Sequence, residues 1–269
     1  MAYSGLLKKF TNIIRKKRDN MGETYVFSDI HGMWDLYEQI KAHLSTGDRK
    51  AVFLGDACDR GERGYMIMKD MLQNDNILYL KGNHEDMFVQ AARAIMKNII
   101  EEDMEPSEWC NDQGIRDLIY GAYYNEAVNL HLNNGGFTTL YEWLADGASM
   151  TIVSAIDKLP TYVEFVNNNG EKITFCHAGT LNKEKDNIDS RIWSRDHFFE
   201  KWDDGILIHG HTPCQHLVKR LGQRGRSNMV CPVWYCDNTK IDMDTGCFST
   251  NIIYLMDIDS REMIKFSDE

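Results

Sequence analysis

The chain has 269 residues, of which 43% are hydrophobic and 26% charged, and its formal net charge is −11. This length supports one large domain with a full core, or at most two small domains. The acidic balance excludes a general nucleic-acid-binding protein, which needs a basic face. We find neither an apolar run long enough to cross a bilayer nor a signal-peptide pattern. The seven cysteines include no Cys-x-x-Cys pair and are odd in number, so we expect reduced, mostly buried thiols in a cytoplasmic protein.

The first 20 residues differ in composition from the rest, because they are strongly basic and have a helical apolar pattern. The apolar positions in this segment are Leu6, Leu7, Phe10, Ile13 and Ile14. We predict a basic amphipathic N-terminal extension over 1–20 and a single domain over 21–269. The simpler interpretation is a helix that lies on the domain or frays from it. Contact with an anionic membrane surface or a partner is the alternative.

From Thr24 onward, strand and helix patterns alternate. Apolar runs predict strands at 24–27, 51–54 and 77–80, each followed by a predicted helix, at 34–44, 65–72 and 86–100. Asp29, Asp56 and Asn83 follow the three strands and are 27 residues apart, close to the roughly 30 residues of a βαβ unit. Each would therefore lie at the carboxyl edge of a sheet, where open α/β folds bind their ligands.

The second half of the chain begins with a helical stretch. Residues 101–158 are predicted to be mostly helical, with an Asn-Asn-Gly-Gly interruption at 133–136. A hairpin is predicted next, with a turn at 167–170 joining strands at 162–166 and 172–176. Later strands are expected at 205–208, 240–243, 251–256 and 262–266. The simplest fold is one α/β domain with a helical insertion.

Five short motifs place Asp, Asn or His beside glycine, most of them just past an apolar run. They are Ser28-Asp29-Ile30-His31-Gly32, Gly55-Asp56-Ala57-Cys58-Asp59-Arg60-Gly61, Gly82-Asn83-His84-Glu85, His177-Ala178-Gly179 and Gly210-His211-Thr212-Pro213. Carboxylate, amide and imidazole groups without thiolates suit metals such as Mn, Fe or Zn. A lone histidine beside a strand is more often packed or on the surface. Six ligand-type residues in equivalent positions instead favour a two-metal hydrolase.

In this order, the motifs resemble the metallophosphoesterases of the phosphoprotein phosphatase family, most closely its bacterial and phage serine/threonine phosphatase branch. The resemblance runs from about Thr24 to Thr250. It implies a calcineurin-like α/β fold, with β-sheets flanked by helices, a helical insertion and a metal site at strand ends. It also implies two divalent metal ions, with Mn²⁺ favoured over Fe or Zn, and a phosphoprotein or small phosphoester as substrate.

The resemblance also assigns roles to individual residues. It gives one metal to Asp29, His31 and Asp56, and the second metal to Asp56, Asn83, His177 and His211. It gives His84 the role of general acid, oriented by Asp59, and it gives phosphate binding to Arg60 and Arg195. A hydroxide between the metals would attack phosphorus directly, and His84 would protonate the leaving alkoxide. Asp244-Thr245-Gly246 resembles a late family segment for which we expect a structural role.

Some alternatives stay open. His209 competes with His211 as a ligand, although the motif position favours His211. Thr212-Pro213 favours the phosphatase branch over the related symmetrical dinucleoside tetraphosphatases, which are the alternative enzyme class together with other nucleotide phosphoesterases. A non-catalytic metal-binding interaction module is the alternative of another kind. Ser28 stands where many family members have glycine, but it contributes no ligand.

Overall fold

The computed structural model describes residues 22–179, 188–222 and 230–268. The predicted N-terminal extension over 1–20 lies outside these described residues. Within the described ranges, no helix is long and apolar enough to cross a membrane.

The first sheet is mixed and contains the three predicted βαβ strands. Its members are β1 (Thr24–Phe27), β2 (Lys50–Phe53), β3 (Ile77–Tyr79), β9 (Ile252–Asp257) and β10 (Met263–Ser267). Their spatial order is β10-β9-β1-β2-β3. β1, β2 and β3 are parallel, so their carboxyl ends share one edge of the sheet, while β9 and β10 run antiparallel beside β1.

The second sheet is also mixed. It contains β4 (Tyr162–Val166), β5 (Lys172–Cys176), β6 (Ile206–His209), β7 (Val233–Tyr235) and β8 (Lys240–Asp242). Their order is β4-β5-β6-β8-β7, with β5, β6 and β8 parallel. The predicted hairpin joins β4 to β5 in antiparallel register, with Tyr162 opposite Cys176. Gly170 has a φ of 82° in its turn, a conformation that glycine adopts without strain.

Helices cover the first sheet and form the insertion. α1 (Trp34–Leu44), α2 (Gly64–Met71) and α3 (Asn83–Glu101) follow β1, β2 and β3. The insertion contains α4 (Pro106–Trp109), α5 (Asp112–Gly121), a 3₁₀ turn (Ala122–Tyr124), α6 (Glu126–Asn133), α7 (Phe137–Ala145) and α8 (Met150–Asp157). Short helices later in the chain are α9 (Ile188–Ile192), α10 (Cys214–Arg220) and α11 (Cys247–Thr250).

Two hydrophobic clusters hold the layers together. Val26 and Val52 belong to a cluster that joins the two sheets, where they pack with residues such as Phe175. Phe27 and Phe53 point the other way, into the larger cluster formed with the helices, because successive side chains of a strand alternate between faces. β1 and β2 are therefore buried on both faces, which explains their continuous apolar runs.

The α/β fold with two sheets, flanking helices and a helical insertion confirms the predicted class. Two details differ from the sequence-based expectation. α3 begins at Asn83 rather than at Asp86, because the Glu85 carboxylate accepts hydrogen bonds from the backbone N–H groups of Gly82 (2.7 Å) and Asp56 (2.8 Å) and so caps the helix early. β7 and the helices α9 to α11 were not predicted, since they are too short for a periodic pattern.

Candidate metal centre and active site

The carboxyl ends of parallel strands from both sheets meet at one place. The predicted ligands follow them in turn: Asp29 and His31 after β1, Asp56 after β2, Asn83 after β3, His177 after β5 and His211 after β6. Side-chain contacts cross between the sheets, because Asn83 Oδ1 lies 3.0 Å from His177 Nε2 and 2.9 Å from His211 Nδ1. The fold therefore brings residues 182 positions apart in the chain, Asp29 and His211, into direct contact.

Four of these residues have a backbone conformation that is unusual for non-glycine residues. The φ angles of Asp29, His31, Asp56 and His211 are 53°, 44°, 64° and 70°. Such left-handed conformations cost on the order of 1–3 kcal/mol each and persist only where the surroundings impose them. Backbone hydrogen bonds impose them here, including Asp29 N–H to the Gly55 carbonyl at 3.1 Å. Strain of this kind clusters at functional sites.

Asp56 lies at the centre of the arrangement. Its Oδ2 is 3.3 Å from His177 Nε2, 3.8 Å from His31 Nε2 and 3.9 Å from His84 Nε2. Among the described residues, two groups could each hold a metal ion, with ligand atoms within 4.8 Å of one another. One group contains His31, Asp56 and His84, and the other contains Asp56, His177 and His211. Asp56 is the residue that the two groups share.

Three imidazoles are oriented so that one nitrogen is free for the site. His31 Nδ1 donates to the Cys58 carbonyl at 2.9 Å, and His177 Nδ1 donates to the Leu54 carbonyl at 3.0 Å, so that Nε2 of each faces Asp56. His211 is turned the other way: Nε2 donates to the Trp193 carbonyl at 3.2 Å, and Nδ1 faces the site. Backbone carbonyls commonly fix metal-binding histidines in this manner.

Burial keeps the imidazoles of His31 and His211 neutral. It lowers the pKa of His31 to about 3 and that of His211 to about 2, so both rings have a lone pair available at physiological pH. Burial raises the pKa of Asp29 well above its ordinary range, and the carboxylates of Asp244 and Asp56 raise it further. A buried cluster of carboxylates beside neutral imidazoles stabilises a cation. The donor set therefore fits a divalent metal such as Mn, Fe or Zn.

Asp29 and His209 differ from the other candidates. Asp29 belongs to neither three-residue group, and its oxygens accept hydrogen bonds from the Ser28 hydroxyl and the His211 backbone N–H. His209 has both ring nitrogens engaged elsewhere, since Nε2 pairs with the Tyr235 hydroxyl at 2.7 Å and Nδ1 with the Gly210 carbonyl at 3.0 Å. The geometry thus favours His211 over His209 as a ligand.

His84, Asp59 and Arg60 form a second arrangement at the same place. His84 Nδ1 donates to Asp59 Oδ2 at 2.7 Å, and the Arg60 guanidinium donates to Nε2 of both His84 (3.1 Å) and His31 (2.8 Å). Burial alone would lower the pKa of His84, but the carboxylates of Asp56 and Asp59 outweigh it and raise the pKa. An oriented imidazole with a raised pKa can act as a proton donor.

The chain matches a known protein family over most of its length. The model of the calcineurin-like phosphoesterase family matches residues 23–242. The chain belongs to this family. A search of curated proteins gave no significant match.

Solved structures resemble this phosphoesterase in fold. A candidate diadenosine tetraphosphatase has a TM-score of 0.55 at 12% identity, covering 93% of this chain and 96% of its own. A cold-active protein tyrosine phosphatase has a TM-score of 0.50 at 14% identity, covering 92% and 78%. A metallophosphoesterase from Sphaerobacter thermophilus has a TM-score of 0.45 at 11% identity, covering 92% and 89%. At these identities the likeness concerns the fold alone.

Arg195 contacts the loop of the phosphoesterase site that carries His211, whereas Arg60 contacts His31 and His84. The Nε of Arg195 donates to Thr212 Oγ1 at 2.8 Å, and a terminal nitrogen donates to the His211 carbonyl at 3.3 Å. Arg60 and Arg195 are both exposed, so each side chain can reach an incoming anion. The two predicted phosphate-binding residues therefore stand at the rim, while the predicted metal ligands lie below them.

Two buried carboxylates of the site were not predicted as functional. Glu85 accepts hydrogen bonds from the backbone N–H groups of Asp56 and Ala57 and from the Tyr79 hydroxyl, and so fixes the loop that carries Asp56. Glu85 is the last residue of the Gly-Asn-His-Glu motif, and this position was the one sequence feature from which a role in the site could have been predicted. Asp244 follows β8, and burial raises its pKa to about 6. Its carboxylate acts electrostatically on Asp29 and accepts the backbone N–H of Gly246 at 2.7 Å.

Proposed function

We propose that this phosphoesterase is a metal-dependent phosphomonoesterase of the phosphoprotein phosphatase family, with serine/threonine phosphoproteins as its preferred substrates. One observation carries the proposal. His84, hydrogen-bonded to Asp59 at 2.7 Å, lies beside Asp56, which is common to both candidate metal groups. A proton donor is thus adjacent to a centre that can activate water.

The metal ligands in this proposal are the predicted ones. One ion would be held by Asp29, His31 and Asp56, and a second ion by Asp56, Asn83, His177 and His211. When bound, two divalent ions supply Lewis acidity, lowering the pKa of water and polarising the phosphoryl oxygens. We propose Mn²⁺ as the activating metal, with Fe and Zn as alternatives, because oxygen and imidazole donors suit all three.

Arg60 and Arg195 would bind the phosphate. Arg60 donates hydrogen bonds from two guanidinium nitrogens to His31 and His84. When a phosphate binds, the same N–H groups can donate to its oxygens instead. Forked arginine donors match the geometry of a phosphate dianion and neutralise its charge. This local positive charge is required because the chain as a whole has a net charge of −11, which repels anionic substrates.

His84 would protonate the leaving group. Since Nδ1 is held by Asp59, the proton that reaches the leaving alkoxide comes from Nε2, the nitrogen that faces Asp56 at 3.9 Å. Asp59 fixes the ring orientation and stabilises the imidazolium before transfer. A metal-binding interaction module would need neither Asp59 nor the exposed Arg60, so these residues favour an enzyme.

The substrate preference rests on the number of free phosphate oxygens. A terminal phosphate offers three oxygens to the two metals and two arginines, whereas an internal phosphate of a dinucleotide offers fewer. Thr212-Pro213 and Trp193-Ser194-Arg195 also resemble the protein-phosphatase branch. We therefore propose phosphoserine and phosphothreonine peptides over diadenosine tetraphosphate.

The test compares substrates and a single variant. With Mn²⁺, wild-type protein is expected to hydrolyse phosphoserine and phosphothreonine peptides with higher kcat/KM than diadenosine tetraphosphate. His84→Asn should lower kcat on the peptides by about 10²–10⁴-fold, the usual contribution of proton donation. The loss should be smaller on nitrophenyl phosphate, whose leaving group needs no proton. His43→Asn, a half-buried histidine on α1, is the matched control and should leave both rates unchanged.

Three results would contradict the proposal, each in a different part: the substrate, the role of His84, or the enzymatic activity itself. Faster cleavage of diadenosine tetraphosphate would assign the chain to the dinucleoside tetraphosphatases. Loss of one equivalent of metal in His84→Asn would make His84 a ligand, as its place in the first group allows. Metal binding without turnover of any phosphoester would favour the interaction module.

A further inference from the structure

The helical insertion contacts the backbone that carries Asp59 and Arg60. The Gly135 carbonyl accepts a hydrogen bond from Arg60 N–H at 3.0 Å, and Thr139 Oγ1 accepts one from Asp59 N–H at 3.0 Å. Thr138 Oγ1 donates to the Gly61 carbonyl at 2.9 Å. Asp59 and Arg60 have φ angles of 70° and 68°, so this loop is strained. The contacts from the insertion hold the strained loop in place.

Asp59 joins two buried imidazoles. Its Oδ2 accepts from His84 Nδ1 at 2.7 Å, and its Oδ1 accepts from His131 Nε2 at 2.8 Å. His131 lies on α6 and has 0% exposure. Because the carboxylate oxygen of Asp59 accepts this hydrogen bond, Nε2 carries the proton, and Nδ1 has no hydrogen-bond partner among the described residues. His131 and Asp59 are 72 residues apart in sequence.

The ring of His131 is fixed by its surroundings. Phe88 packs against it edge-on, with ring centroids 6.2 Å apart. Gly136 also lies against it, because a Cβ at this position would collide with the imidazole ring. The Gly136 N–H in turn donates to the His131 carbonyl at 3.0 Å. The Asn-Asn-Gly-Gly interruption at 133–136 therefore allows the chain to close over His131.

His131 also affects the charge of Asp59. Burial alone would raise the pKa of Asp59, but His131, and after it His84, hold the pKa below its ordinary range. Thr139 Oγ1 adds a further hydrogen bond to Oδ1 at 2.7 Å. One oxygen of the carboxylate is thus held by the insertion, while the other holds His84.

We propose that His131 is a positioning residue for the general acid: its Nε2–H fixes the Asp59 carboxylate, which in turn orients His84. This inference rests on the proposed function, in which His84 protonates the leaving group. Through His131, the helical insertion would contribute to catalysis without contacting the substrate.

The experiment uses the full chain and separates positioning from a merely structural role. His131→Leu removes the donor but keeps the bulk of the side chain, and His131→Gln keeps an N–H donor. Each is also combined with His84→Asn. Leu130→Ala is the control, because Leu130 is on the same helix and is 47% exposed. Turnover is measured on an alkyl phosphate and on nitrophenyl phosphate, together with bound metal and the melting temperature.

We expect His131→Leu to lower kcat on the alkyl phosphate by about 10–100-fold, the range found when a hydrogen-bond partner that orients a metal-binding residue is removed. The loss should be smaller on nitrophenyl phosphate, KM and metal content should be unchanged, and His131→Gln should recover much of the rate. In the His84→Asn background, His131→Leu should cause no further loss. An equal loss in both backgrounds, or on both substrates, would overturn the proposal.

A second readout does not depend on turnover. In metal-free protein, the Nδ1–H of His84, held by Asp59, should give a protected proton signal by NMR. We expect His131→Leu to broaden or shift this signal and Leu130→Ala to leave it unchanged. An unchanged signal in folded His131→Leu protein would overturn the positioning role. If wild-type protein hydrolyses no phosphoester, the proposed function fails, while this signal still decides whether His131 positions His84.

Discussion

Asp56→Asn tests the metal centre most directly, because Asp56 is the residue shared by the two candidate metal groups within the described part of the chain. The substitution removes one negative charge but keeps the side-chain shape. Its amide oxygen can still accept the His84 backbone N–H, which lies 3.0 Å from Asp56 Oδ1. We therefore expect the metal-free variant to fold and both metal sites to weaken.

The expected size follows from ligand linkage. A ligand at 100 times its Kd stabilises the native state by about 2.7 kcal/mol. If the substitution raises Kd about 100-fold, the same metal concentration adds only about 0.4 kcal/mol. At about 2–4 °C per kcal/mol for a domain of this size, Mn²⁺ should raise the melting temperature by about 5–11 °C in wild type and by about 1–2 °C in Asp56→Asn.

The assay is thermal unfolding over a Mn²⁺ titration, with metal content of the purified proteins measured in parallel. Asp117→Asn, which removes an exposed carboxylate on α5, is the control and should retain the wild-type shift. Two tightly bound ions in Asp56→Asn, or an unchanged metal-dependent shift, would refute the assignment of Asp56 as the shared ligand. A large loss of metal-free stability would show instead that the charge supports the fold.

Three further predictions concern the surrounding structure. Gly210→Ala should reduce metal affinity, measured by titration calorimetry, because the added Cβ would collide with the Asp29 carboxylate; unchanged affinity would show that the loop adapts. Trp143→Ala should lower the free energy of unfolding by about 3–5 kcal/mol, measured with denaturant, since this side chain is fully buried; a loss below about 1 kcal/mol would contradict its place in the core. Removing residues 1–20, so that the chain starts at Met21, should leave kcat unchanged, because the proposed site lies downstream; a large fall would show that the segment supports the active domain.

Much of the fold could be predicted because its signals are local. The apolar runs of β1, β2 and β3 and the even spacing of Asp29, Asp56 and Asn83 indicated three parallel strands with ligands at one edge. Pairing between distant strands could not be predicted in the same way. β9 pairs with β1 from the end of the chain, and β8 lies beside β6 across the sheet. Such pairings depend on which faces are buried, which a single strand pattern does not specify.

The candidate site, like the fold, could be predicted only where its signals are local in the sequence. Motif residues such as His31 and His177 could be selected because each follows an apolar run and stands beside glycine. The tautomers that direct Nε2 of these two rings toward Asp56 are set by the carbonyls of Cys58 and Leu54. Those contacts depend on the three-dimensional course of the loops, so the sequence could indicate the candidate ligands but not the orientation of their rings.

Two histidines outside the motif positions show why the roles of isolated residues could not be predicted without the structure. His209 and His131 are both fully buried, and neither has a sequence pattern that separates structural from functional use. His209 faces the hydroxyl of Tyr235, a residue that packs with Phe198 and Leu217 in a small hydrophobic cluster. His131 faces the carboxylate of Asp59, whose other oxygen holds His84. The partner that folding places opposite each ring distinguishes the two histidines, and for His131 that partner belongs to the proposed catalytic arrangement.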